Sequence, residues 1–103
     1  MIVVRFKAAC QPDRVEEALA AFRAVVEPSR RIEGVISFDI GRDLVDPNTV
    51  VAFEVFEDEE ARNRQESLPE VARVMELLPD ALATPPEATV FTISSVADAF
   101  AGA

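Results

Sequence analysis

Few residues of this chain could carry chemistry. Glu54 stands inside the run Val50-Val51-Ala52-Phe53-Glu54-Val55-Phe56. A carboxyl inside a strand, once partly buried, rises in pKa toward the range of a general base. Glu57-Asp58-Glu59-Glu60 follows it, but the helix dipole alone explains acids at a helix start, and no metal site is expected there. The lone thiol, Cys10, has no histidine to activate it and reads as a small buried apolar residue. The absences exclude whole mechanisms: the 103 residues hold no histidine, tyrosine or tryptophan, and one cysteine. No Ser-His-Asp triad, Cys-His pair, imidazole metal ligand, multi-thiolate zinc site or internal disulfide can be built from this set.

Charge narrows the partners. Ten basic against nineteen acidic residues give a formal charge of −9, and Lys7 is the single lysine. Nucleic acid and anionic membrane surfaces are therefore not expected as partners. No stretch approaches the roughly 20 apolar residues of a membrane span. The start, Met1 to Lys7, alternates rather than forming the apolar run of a signal peptide, so a cytoplasmic location is expected.

Any site needs elements to hold it. Ile2, Val4, Phe6 and Ala8 share one parity and Arg5 and Lys7 the other, which predicts a half-buried strand. Asp13 with Glu16 resembles a capping box before a helix with Val15, Leu19, Phe22 and Val26 on one face. Pro28 should kink or weaken that helix, and Gly34 suits a left-handed C-cap. A second strand, Val35 to about Arg42, forms a hairpin with the run Val50–Phe56 across the turn Asp46-Pro47-Asn48. Asp58 can cap the next helix. Ser67-Leu68-Pro69-Glu70 has the form of a second capping box, so the helix restarts there, with Val71, Val74, Met75 and Leu78 as its apolar face. Pro79, Pro85 and Pro86 delimit a loop, and Thr89 to Ser94 is a last strand, rich in β-branched residues.

The order β-α-β-β-α-β predicts an α+β, ferredoxin-like domain over residues 1–95: a four-stranded antiparallel sheet with its helices on one face. Residues 96–103 form a tail without a pattern. The uncovered sheet face is expected to carry Val3, Val50 and Phe91 mixed with Arg5, Ser37 and Glu54. A partly apolar open face predicts a homodimer packed sheet on sheet.

The chain resembles the antibiotic biosynthesis monooxygenase family, the dimeric α+β barrel group that includes small quinol monooxygenases. The resemblance runs from about Met1 to Ile93. It rests on Val4-Arg5-Phe6-Lys7, Gly34-Val35-Ile36-Ser37-Phe38-Asp39, Arg42-Asp43, Asp46-Pro47-Asn48, Phe53-Glu54-Val55-Phe56-Glu57-Asp58-Glu59 and Pro85-Pro86-Glu87-Ala88-Thr89-Val90-Phe91, in that order and spacing.

That resemblance implies a pocket between helices and sheet, lined by Val4, Phe38, Phe56, Gln65, Leu68, Val71 and Met75, for a hydrophobic small molecule. It also marks departures. Relatives often carry tryptophan at Phe56 and histidines at Gln65 and at Glu70. Haem-degrading cousins carry asparagine at about Val4 and an axial histidine at about Met75, so the haem reading loses its ligand. What it implies here is cofactor-free oxygenation of an aromatic or quinol-like substrate, with Glu54 as candidate base, Gln65 hydrogen-bonding a hydroxyl or carbonyl, and Arg5 or Arg42 stabilising a phenolate. Simpler roles compete: Phe56 and Met75 as core, Gln65 as a solvated residue, Glu54 paired with Arg5 or Arg42. The alternative is a non-catalytic dimeric binding or assembly module. Isomerase or lyase action on a small carbonyl compound also occurs on this fold, but it too would miss its usual histidine.

Overall fold

The alternating strands and amphipathic helices assemble in the order β1 (Ile2–Ala9), α1 (Val15–Arg30), β2 (Val35–Arg42), β3 (Thr49–Phe56), α2 (Glu59–Glu66), α3 (Pro69–Ala81) and β4 (Glu87–Thr92). The computed structural model describes residues 1–102, so the last residue of the expected tail, Ala103, lies outside the described residues. The four strands form one antiparallel sheet in the order β2-β3-β1-β4. This is the ferredoxin-like α+β arrangement, with the second helical segment split in two.

Register fixes which residues share a face. Val4 lies opposite Glu54 and Val90, and Phe38 opposite Glu54. Val50 packs into a core cluster with Val15, Phe22, Val25, Val74 and Leu78 of the helices. Phe56 packs in a second cluster with Ile2, Val4 and Ala61 of α2. Because side chains alternate along a strand, Val50, Ala52, Glu54 and Phe56 all face the helices. The expectation that Val50 and Glu54 sit on the uncovered face is therefore corrected by the same period of two that identified the strand. The open face carries Val3, Arg5, Val51, Phe53, Val55 and Phe91; Phe53 is 50% and Phe91 43% exposed.

Helix boundaries also differ from the capping patterns. The residue before α1 is Arg14, with no side-chain cap; Glu16 instead reaches Arg42 at 2.9 Å. An ion pair across elements has displaced the local capping box. Pro28 lies inside α1, which ends at Arg30 rather than at Gly34. Arg30 Nε donates to the Phe38 carbonyl at 2.9 Å and Nη2 lies 3.1 Å from Asp39 Oδ1, tying the helix end to β2. Gly34 does adopt a left-handed backbone, φ +89°, and a Cβ there would lie 2.6 Å from the Ala61 Cβ. Glycine is required at that junction for backbone conformation and for the close approach of α2.

Asp58 caps α2 as expected, accepting from the Ala61 amide at 2.9 Å. Ser67 does not cap α3: its hydroxyl donates back to the Asn63 carbonyl at 2.7 Å, closing α2. α3 starts instead on Pro69, which suits a first turn whose amides have no partners. Pro79 falls in its last turn instead of opening the loop, and β4 begins two residues earlier than expected, at Glu87.

Candidate functional site

A cavity of about 400 Å³ lies between the sheet and the helices, lined by Val4 of one buried cluster and by Phe22, Val25, Phe38 and Val74 of the other. That volume is in the range of small-molecule sites. Its floor is the helix-facing side of the sheet, where Val4, Phe38, Ala52, Glu54 and Val90 lie. Phe22 and Val25 of α1 close one side, Arg62, Gln65 and Glu66 of α2 a second, and Val71, Val74 and Met75 of α3 a third. Met75 is 62% and Val90 43% exposed, so the cavity opens between α3 and the edge strand β4.

Of the expected pocket residues, Val4, Phe38, Gln65, Val71 and Met75 line this cavity together with the candidate base Glu54. Phe56 and Leu68 do not. Phe56 is fully buried under α2, sealed by Ile2, Val4 and Ala61. Leu68 occupies the α2–α3 junction, where its amide donates to the Gln65 carbonyl. Gln65 is not the solvated helix residue of the simpler reading. It is 3% exposed, and its Nε2 donates to the buried Ser29 hydroxyl at 3.0 Å, joining α2 to α1. A helical spacing that places Ala61 and Gln65 one turn apart, both inward, was the available signal.

Glu54 is the one acidic side chain on the cavity floor. Its pKa is raised from 4.5 to about 7: burial contributes most, the neighbouring Glu66 charge adds to it, and the Arg62 guanidinium works against both. Neither expected partner reaches it. Arg42 donates to the Pro47 carbonyl and pairs with Glu16, and Arg5 alternates onto the open sheet face. Those locations also separate Arg5 and Arg42 from the cavity lining. The cations and anions missed from the sequence are Arg62 and Glu66. Arg62 Nε lies 2.9 Å from Glu66 Oε1 and Nη1 3.5 Å from Glu59 Oε1. The i,i+4 spacing of Arg62 and Glu66 was legible, but it looks like any solvated helix pair until α2 is docked over Glu54.

Elsewhere, burial raises the Cys10 thiol pKa, the opposite of activation. Among the described residues no cluster of three His, Cys, Asp or Glu side chains is arranged to hold a metal, and no helix is long and apolar enough to cross a membrane.

Solved proteins share this fold. Rv0793 of Mycobacterium tuberculosis superposes with a TM-score of 0.85 at 21% identity, covering 94% of this chain and 98% of its own. PA3566 of Pseudomonas aeruginosa gives 0.82 at 19% identity, covering 91% and 94%. At these identities the likeness establishes the fold. In sequence, the uncharacterized Synechocystis protein sll1783 is 32% identical over 93 residues. That match takes in 90% of this chain and 63% of the Synechocystis protein's length. The model of the antibiotic biosynthesis monooxygenase family matches residues 1–77, three-quarters of the chain, and the chain belongs to that family.

Proposed function

We propose that the chain is a homodimeric, cofactor-independent, cytoplasmic monooxygenase that oxidises a hydrophobic phenol or quinol-like molecule with dioxygen in the cavity over Glu54. The observation that carries this reading is the Glu54 carboxyl, its pKa raised to about 7, on the apolar sheet floor of the cavity, beneath the polar side chains Arg62, Gln65 and Glu66 of α2. At neutral pH such a group is divided between its two forms and can accept a proton from a bound hydroxyl.

The chemistry then belongs to the substrate. The hydroxyl proton passes to Glu54. The resulting phenolate gives one electron to dioxygen, and the phenoxyl radical and superoxide combine at a ring carbon bearing hydrogen. The peroxide loses water. One oxygen atom stays as a quinone carbonyl; the other leaves as water with the ring hydrogen and the original hydroxyl proton. The protein supplies orientation by Phe38, Phe22 and Val71, exclusion of water by the apolar walls, and the base.

A second reading, a ligand-binding module without catalysis, is favoured by the commitment of the Gln65 amide to Ser29, which leaves that donor engaged within the protein. Oxygen uptake separates the two. Purified protein supplied with a panel of phenols and quinols should consume one dioxygen per quinone formed, and Glu54→Gln should abolish it. No uptake above the spontaneous rate, with the same molecules bound, establishes the module instead.

A further inference from the structure

Three lining side chains carry formal charge, Glu54, Arg62 and Glu66; Arg62 and Glu66 are ion-paired and both charges act on Glu54, which groups the three at one end of the cavity. The cation is already engaged: Arg62 Nε is 2.9 Å from Glu66 Oε1, and Nη1 is 3.5 Å from Glu59 Oε1. The remaining elements bring no charge to the lining. β1 gives Val4 and Phe6, β2 Phe38 and Ile40, β4 Ala88 and Val90, while α1 and α3 are apolar there. A ligand's polar end therefore meets two carboxyls and a guanidinium held by acids.

We propose that this end of the cavity is a charge filter, admitting an uncharged hydroxyaromatic and turning away one that carries a carboxylate, with Glu66 as the specificity-determining residue. The inference rests on the reading that the cavity holds an aromatic ligand. A hydroxyl can donate to Glu54 or Glu66 in a charge-assisted bond. A carboxylate would lose its water, find no free cation, and face Glu66 at close range. Glu54 adds to the repulsion as it ionises through about pH 7, so rejection strengthens with rising pH.

The test is direct binding, under conditions without turnover, of a naphthol and its carboxylated counterpart, a hydroxynaphthoate. Both are fluorescent, and the chain has neither tryptophan nor tyrosine to interfere. At about pH 8 the hydroxynaphthoate should bind on the order of tenfold more weakly, the scale of one like charge several ångströms away in a half-exposed site. In Glu66→Gln the gap should shrink severalfold, because the repulsion falls and Arg62 is released. Equal or tighter binding of the hydroxynaphthoate by the unaltered protein overturns the filter and leaves the aromatic reading standing. An unchanged gap in Glu66→Gln, with circular dichroism showing a folded variant, overturns the assignment to Glu66. Binding of neither probe removes the aromatic-cavity reading and the filter with it.

Discussion

Replacing Glu54 by glutamine should make the protein more stable at alkaline pH while removing its activity. The carboxyl is raised from 4.5 to about 7, chiefly by burial. Below about pH 4.5 it is neutral in both folded and unfolded chains and contributes no pH dependence. Between there and about pH 7 the unfolded chain releases the proton while the folded one keeps it, so stability falls as pH rises, and the loss is complete above the folded value. A gap of about 2.5 units at roughly 1.4 kcal/mol each sets an upper bound of about 3.5 kcal/mol. Glu54 is half-buried, and solvent reduces this to roughly 1–3 kcal/mol.

The assay is urea unfolding followed by far-ultraviolet circular dichroism, at one fixed protein concentration, from about pH 4 to about pH 8. Asp43 acts in the opposite sense, its pKa lowered by the Asp46 and Val45 amides that donate to it. The informative quantity is therefore the stability difference between variant and parent at each pH. It should move in the variant's favour by roughly 1–3 kcal/mol across that span. A flat difference, or one moving the other way, refutes the burial argument and with it the case for Glu54 as base.

Three further outcomes are expected. Phe56→Ala should cost about 3–5 kcal/mol in urea unfolding, because it empties a fully enclosed site that is not part of the ligand cavity. Gly34→Ala should cost about 2 kcal/mol or more in the same assay, since it forces φ +89° on an L side chain and drives its Cβ to 2.6 Å from that of Ala61. Phe53→Glu, at the centre of the open sheet face, should yield monomers by sedimentation at micromolar concentration if that face carries the proposed dimer.

The strands were legible because their period of two is local: Ile2, Val4, Phe6 and Ala8 announce β1 without reference to any other element. The faces of β3 were harder. Val50 to Phe56 has Glu54 as its one polar residue, and a single charge reads as solvent-facing by default. Only the packing of Phe56 beneath Ala61 and of Val50 among the helices shows which parity is inside. The failed capping boxes have one cause. Glu16 and Ser67 each had a partner outside the local turn, Arg42 in the first case and Asn63 in the second. At the site, single apolar residues such as Val71 and Val4 were found through the family resemblance. The Arg62–Glu66 pair carried no distinguishing mark until α2 was laid across the sheet.

The strand order β2-β3-β1-β4 makes β1, the earliest strand of the sheet in chain order, an interior one. Ile2 pairs with Phe56 on one side and with Thr92 on the other. Both partnerships close loops far longer than the β2–β3 hairpin, and such long-range pairing slows folding. A nascent chain that has emerged only as far as α3 therefore holds β1 with one edge unpaired, its amides and carbonyls open to other strands. The cavity is unfinished at that stage as well, since Ala88 and Val90 belong to the last strand. Completion of the sheet and completion of the binding site are thus a single late event, and a chain interrupted before Glu87 should be prone to aggregation as well as lacking its site.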